Sequence, residues 1–131
     1  MKTIKTLSTF LLLAFSALFL ISCRSDSSDD NSGGSSYPKQ VSITYKITST
    51  TTSSLLHISY KNETGGTTDV NNPSIPFTKT FTRTVNQFDN LSLSCSSNTT
   101  QTVKLEILVD NKVVNFTDNT STISSVAYVF P

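Results

Sequence analysis

The sequence contains few of the residues on which catalytic and metal sites are usually built. Among 131 residues there is no tryptophan, one histidine (His57) and two cysteines (Cys23 and Cys95). A lone histidine, with Cys95 expected in a core, excludes the usual zinc sites, which need several Cys or His ligands. Charged residues make up 15% of the chain, and residues 23–131 carry eight basic and nine acidic side chains. This balance excludes the basic footprint of a nucleic-acid-binding protein.

The chain also has no apolar run long enough to cross a membrane as a helix. The longest run, residues 10–21, has twelve residues and is interrupted by a single serine, whereas a spanning helix needs about 20. Lys2 and Lys5 precede the run, and the small residue Ser22 follows it. This arrangement is typical of a secretory signal peptide. The sequence therefore predicts a helical signal peptide over residues 1–22, which is removed from the mature chain.

A four-residue motif lies at the end of the predicted signal peptide. Leu20-Ile21-Ser22-Cys23 resembles the lipobox of bacterial lipoproteins. In that family the cysteine thiol receives a diacylglycerol, the signal is cleaved in front of it, and the new amino group is usually acylated. One acyl chain holds a protein to a membrane only marginally, and two or more hold it firmly. The resemblance implies S-diacylglycerol and N-acyl modification of Cys23; the alternative is an ordinary signal peptide with an incidental cysteine.

Lipidation of Cys23 leaves Cys95 without a partner, so the mature chain is expected to have no intrachain disulfide. Cys95 shares the parity of Leu91 and Leu93, which indicates a buried thiol that behaves as a small apolar residue. An intermolecular partner and a reactive thiol are the two alternatives.

A polar segment separates the cysteine from the rest of the chain. Residues 24–36 contain no apolar side chain, so they cannot bury surface to offset the entropy lost on ordering. We expect residues 23–40 to be the lipidated cysteine and a flexible tether. Asp26, Asp29 and Asp30 resemble the Ser/Asp-rich export signals of Bacteroidota lipoproteins, which implies the outer membrane; the alternative is a solvated linker. The periplasmic and surface faces both stay open.

Residues 41–131 form the only candidate domain, and a period of two runs through it. Val41, Ile43, Tyr45 and Ile47 alternate with polar residues, as expected for half-buried strands. The same pattern recurs in eight runs: residues 41–47, 56–60, 67–70, 77–85, 91–95, 103–109, 113–116 and 126–130. No stretch after residue 22 has a helical period.

Turn residues separate these runs. Gly65 and Gly66 allow the positive φ of a tight hairpin within residues 62–66. Residues 110–112 indicate a second hairpin, and residues 71–73 and 97–98 indicate breaks. Seven or eight short antiparallel strands with this spacing predict an all-β domain, an Ig-like sandwich of two sheets.

Several segments in a fixed order support a family resemblance. They are residues 43–47, 58–62, 65–68, 75–77 leading into Phe81, and 105–114. This order resembles the globular part of the MmpS family, small accessory proteins of lipid and siderophore exporters. The resemblance implies a small β-sandwich and an association with transport. Phe77 stands where that family tends to carry Trp, and the lipobox stands where it has a transmembrane helix.

The sequence shows no arrangement typical of catalysis. His57 has the parity opposite to Leu56 and Ile58, so we expect it to face solvent. No Gly-x-Ser-x-Gly elbow is present, and the carboxylates are scattered and fall mostly in turns. We therefore expect no enzyme activity, no cofactor and no metal site.

Three functions are compatible with these features. The leading hypothesis is a membrane-anchored, non-enzymatic binding or accessory module of the cell envelope that contacts another envelope protein or a transporter. Its loops or an exposed sheet edge would make the contact. The alternative is a surface-exposed adhesion or glycan-binding lipoprotein. A hydrolase is the third hypothesis, with His57 or Cys95 as its reactive residue.

Overall fold

A computed structural model describes residues 36–131 of the chain. The predicted signal peptide, the lipobox with Cys23 and residues 24–35 of the tether lie outside the described residues. The described residues form six strands and no helix: β1 (Lys39–Ser49), β2 (His57–Lys61), β3 (Thr67–Asn71), β4 (Phe77–Val85), β5 (Asn90–Val109) and β6 (Lys112–Val129). The prediction of an all-β domain is confirmed. A search of this part of the chain for a helix able to cross a membrane finds none.

The strands form one antiparallel sheet in the order β3-β2-β5-β1-β4, with β6 on the other side of β5. The first part of β5 pairs with β2, and residues 103–109 pair with β1. β6 follows β5 through both parts, but the pairing is interrupted between Ser96 and Gln101. The long β5–β6 ribbon therefore belongs to two halves of the sheet, one containing β2 and β3 and the other β1 and β4.

The sheet is curled, and its two halves enclose a single core. Tyr45 on β1 packs against Tyr60 on β2 with 5.5 Å between ring centroids, although β1 and β2 are not neighbours in the sheet. The Tyr45 hydroxyl donates a hydrogen bond of 2.9 Å to the main-chain oxygen of Lys61. The fully buried side chains include Ile43, Ile47, Ile58, Val85, Leu91, Leu93, Leu105, Ile107 and Phe130.

The structure has six strands where the sequence pattern indicated seven or eight. The runs 91–95 and 103–109 are both parts of β5, and the runs 113–116 and 126–130 both fall on β6 or at its end. Residues 97–100 join the two parts of β5 without a turn, because they contain no Gly or Pro and two of them are Thr, which favours strands. The break expected at residues 97–98 is an irregularity in the pairing with β6.

The two predicted hairpins are present. In the β2–β3 hairpin, Gly65 has φ +81° and donates its N–H to the Asn62 oxygen at 3.0 Å. In the β5–β6 hairpin, Asp110 and Asn111 have φ of 49° and 65°. Two successive positive φ values match the twist of a two-residue hairpin, and Asn and Asp tolerate them best.

The two ends of the curled sheet differ in chemistry. At the entry end, residues 36–38 lead into β1, and both hairpins and the turn of residues 86–89 lie nearby. At the opposite end, which we call the polar end, lie residues 50–56, 72–76 and 97–101. β1 runs from one end to the other, and its 11 residues span about 33 Å at ~3.3 Å per residue.

Candidate binding site at the polar end

His57 lies on the outer face of β2 and pairs with a carboxylate. Its Nε2 is 3.2 Å from Oδ1 of Asp69 on β3, and both side chains are partly exposed. Ser96 is the cross-strand partner of His57, but no hydrogen bond described for this face joins His57 to a serine hydroxyl. The pair forms a salt bridge when His57 is protonated, which is a common arrangement on exposed strands.

Cys95 is buried on the inner face of β5, with 4% of its surface exposed. Burial raises the pKa of its thiol, which keeps it protonated and unreactive near neutral pH. The prediction of a buried thiol is confirmed. The described residues contain no disulfide, and Cys95 is the free cysteine among them.

Most carboxylates of the domain bond to nearby groups of the fold. Asp110 accepts the N–H of Ser42 at 2.9 Å, and Asp89 accepts that of Asn86 at 3.0 Å. Glu106 pairs with Lys104 at 2.8 Å. Within residues 36–131 no three His, Cys, Asp or Glu side chains come together as metal ligands.

The polar end is built from loops that are joined to one another by hydrogen bonds. The Ser49 hydroxyl accepts the N–H groups of Thr51 and Thr52 at 3.2 Å and donates to the Thr102 oxygen at 2.7 Å. The Thr102 N–H donates to the Thr51 hydroxyl at 2.9 Å. Residues 49–52 are thereby fixed to β5 just beyond its bend.

Main-chain hydrogen bonds connect the remaining loops of the polar end. The Leu55 N–H donates to the Pro73 oxygen at 3.0 Å, and the Leu56 N–H donates to the Ser96 oxygen at 2.9 Å. The Ile75 N–H donates to the Ser53 oxygen at 2.8 Å. Because the loops share these bonds, they form one preformed surface.

A cavity of about 240 Å³ opens in this surface. Its lining combines hydroxyl and amide side chains with two leucines: Thr52, Ser54, Asn72, Ser97, Asn98, Thr99, Gln101, Leu55 and Leu56. No charged group lines it. Such a lining offers neutral donors and acceptors with little apolar surface, which suits an uncharged, hydroxyl-rich or amide-containing ligand. Its volume suits a single side chain or sugar-sized group, since sites for larger ligands are roughly 300–1,000 Å³.

A second cavity of about 190 Å³ lies next to the first, beyond residues 101–102. It is lined by Thr48, Ser49, Thr50, Thr102, Lys104 and Asp118. Lys104 and Asp118 are cross-strand partners on β5 and β6. The polar end thus places one neutral cavity beside one that carries a charge of each sign.

The outer strand β6 is a second surface able to make contacts. Among the described strands it pairs with β5 alone. Four of the six exposed large apolar side chains lie on it: Val113, Phe116, Ile123 and Val129. The Asn115 amide donates to the Ala127 oxygen at 2.6 Å and so occupies part of this edge. Free edge strands bind other strands through main-chain hydrogen bonds.

Sequence reasoning did not identify the cavity residues as a site. The signal is visible as two clusters of hydroxyl and amide residues, 49–54 and 97–102, but the same composition is typical of ordinary turns. Pairing of β2 and β1 with successive parts of β5 brings the clusters together, and that pairing is not readable from local sequence.

Neither the protein-family models nor the curated proteins that were compared with the chain give a match. The described residues form a small all-β domain with a preformed polar end and an exposed edge strand.

Proposed function

We propose that the chain is a lipid-anchored, non-enzymatic binding or accessory module of the cell envelope. The lipobox-like Leu20-Ile21-Ser22-Cys23 supports the anchor. Buried Cys95 supports a role without catalysis, since its thiol is shielded from solvent and from substrates. The resemblance of the acidic cluster at residues 26–30 to export signals supports the outer membrane, on its periplasmic or its surface face.

One observation carries the proposal, namely that the chain enters the domain at the end opposite its preformed polar surface. β1 starts at the entry end and reaches the polar end at Ser49, about 33 Å away at ~3.3 Å per residue. A domain held by its N-terminus presents the polar end away from the anchor. Loops grouped at one end of a rigid β scaffold are a common location for binding residues.

The partner that this arrangement favours is another envelope protein, including a component of a transporter. The neutral cavity suits an uncharged side chain or main-chain amide, and β6 offers an edge for strand addition. Both surfaces belong to the same curled sheet, so one partner can contact both.

Crosslinking in intact membranes followed by purification of the full chain tests the proposal. We expect a specific partner with the unmodified chain and about tenfold less of it with a combined Asn98→Ala and Gln101→Ala variant. Each lost hydrogen bond contributes roughly 0.5–1.5 kcal/mol, and about 1.4 kcal/mol changes an equilibrium tenfold. Gln87→Ala is the matched control, because Gln87 is exposed at the entry end. Repeated recovery of the protein alone would count against the proposal.

The second candidate is a surface adhesion or glycan-binding lipoprotein. The neutral hydroxyl and amide lining of the 240 Å³ cavity favours it, because such groups can donate to and accept from the hydroxyl groups of a sugar. It predicts binding to a polysaccharide array that Asn72→Ala weakens, together with cleavage of the domain by protease added to intact cells. Full protection in intact cells would exclude it.

The finer family assignment, an MmpS-like sandwich that assists transport, is also a proposal. Packing of Tyr45 against Tyr60 between the two halves of the sheet supports a two-layer arrangement. If β5 and β6 are each divided at the bend, the count becomes eight strands in two sheets. An experimental structure tests the division, and genes for an exporter beside this one would support the transport role; polysaccharide-utilisation genes would favour the second candidate.

A further inference from the structure

The turn of residues 86–89 at the entry end holds an aromatic side chain in solvent. Phe88 is 72% exposed, the largest exposed fraction among the large apolar side chains described. Its φ is 66°, in the left-handed region. Asn and Gly adopt this region readily, whereas for a bulky residue it is a rare and strained conformation. Backbone strain of this kind is found most often at functional sites.

Hydrogen bonds fix this turn from both sides. The Asp89 carboxylate accepts the Asn86 N–H at 3.0 Å and the Arg83 guanidinium at 3.2 Å. The Phe88 N–H donates to the Phe130 oxygen at 2.9 Å, and the Phe130 N–H donates to the Asp89 oxygen at 2.9 Å. The backbone of Phe88 is therefore fixed, and its ring is held away from the core.

The segment that precedes β1 enters the domain at this same end. The Tyr37 ring packs edge-on against Phe130 with 6.5 Å between centroids. The ammonium of Lys39 lies 4.8 Å from the centre of the Tyr37 ring. Exposed Phe88, partly buried Tyr37 and the cation of Lys39 thus lie together around Phe130. Aromatic and basic side chains in combination are typical of surfaces that contact lipid headgroups.

We infer that Phe88 inserts into the interfacial region of the bilayer and orients the domain with its entry end on the lipid. The inference rests on the proposed lipid anchor at Cys23. Residues 24–36, thirteen in number, extend to at most roughly 45 Å and join the domain at the entry end, so Phe88 lies within reach of the lipid that holds the anchor. The polar end, about 33 Å away along β1 at ~3.3 Å per residue, then points away from the membrane.

The absence of tryptophan from the chain provides a direct test. The lipidated full mature protein carrying Phe88→Trp is reconstituted into vesicles of phosphatidylcholine and phosphatidylglycerol with brominated acyl chains. Leu56→Trp, at the polar end and also exposed, is the matched control. We expect the emission of F88W to shift to shorter wavelength and to be quenched at least about twofold more than that of L56W, because interfacial side chains reach ~5–10 Å into the headgroup–acyl boundary.

Flotation of the vesicles separates the inference from the anchor on which it rests. If the protein floats with the vesicles and F88W is quenched no more than L56W, the orientation is wrong and the anchor stands. If the lipid-labelled protein does not float, both are overturned. Amide hydrogen exchange on the unmodified chain covers the case in which F88W does not fold. Exchange at residues 86–89 is expected to slow on reconstitution, whereas exchange at residues 97–101 is not; equal changes at both would contradict the inference.

Discussion

Truncation of Tyr45 to alanine is expected to lower the free energy of unfolding by about 3–5 kcal/mol, the usual range for loss of a buried aromatic side chain. Tyr45 is fully buried, and its ring packs against Tyr60 and Phe81 at 5.5 and 5.8 Å between centroids. Since Tyr60 belongs to the other half of the sheet, the truncation removes contacts that hold the halves together. Urea unfolding of the mature chain, followed by circular dichroism, measures the loss.

The hydroxyl of Tyr45 adds a dependence on pH. Burial raises the pKa of Tyr45 well above its ordinary value of 10.0, and nearby Arg83 offsets only part of that increase. The folded state therefore favours the protonated phenol, which donates to the Lys61 oxygen. A pKa raised on folding gives stability that is complete below the unfolded value and is lost as pH rises toward the folded value. Stability should accordingly fall above about pH 10, and less steeply in Tyr45→Phe, which has no phenol to ionise.

Phe116→Ala is the matched control for this prediction, since it also truncates an aromatic residue, but one that is exposed on β6. Substitutions at exposed positions usually change stability by about 0.5 kcal/mol or less. A Tyr45→Ala loss as small as that of Phe116→Ala would show that the two halves of the sheet do not depend on this contact.

Replacement of Cys23 by serine is expected to abolish acylation of the chain and the processing that follows acylation. A hydroxyl is far less nucleophilic than a thiolate, so it does not accept the diacylglycerol. Without that step the processing expected of a lipoprotein does not occur, and the signal peptide stays attached. Metabolic labelling with a fatty acid measures acylation, and electrophoresis separates the unprocessed chain from the shorter processed one. We expect complete loss of label.

Cys95→Ser is the matched control, because it changes the other cysteine to the same residue. Cys95 is buried and its thiol pKa is raised, so it is not an acceptor of lipid in the folded chain. The variant should keep full labelling. Label that persists in Cys23→Ser, or that disappears in Cys95→Ser, would overturn the assignment of the anchor.

The sequence predicted the strands better than their connections. Alternation in residues 43–47 identifies β1 because Ile43, Tyr45 and Ile47 are apolar and fully buried, whereas the two residues between them are polar. The sequence pattern does not predict that residues 91–95 and 103–109 belong to one strand. The Ser, Asn and Thr residues between them resemble a turn when only the local sequence is considered. The cavity lined by Asn98 and Gln101 could not be predicted, because it depends on pairing between residues far apart in the chain.

The strained φ of Phe88 was also beyond prediction from sequence. Nothing in residues 86–89 requires a left-handed phenylalanine; the conformation follows from the bonds that Asp89 and Phe130 make around it. Residues of this kind are set by tertiary contacts, which is why they are informative about function once a structure is known.

The course of β1 from the entry end to the polar end has a mechanical consequence. In the proposed arrangement, with an anchor at the entry end and a partner at the polar end, a force between the two acts along β1. β1 is paired over nine residue positions with β4 and over seven with β5. Force in this direction shears all of these hydrogen bonds at once, whereas force across the strands would open them one after another. Tension applied along β1 is therefore resisted by both pairings together.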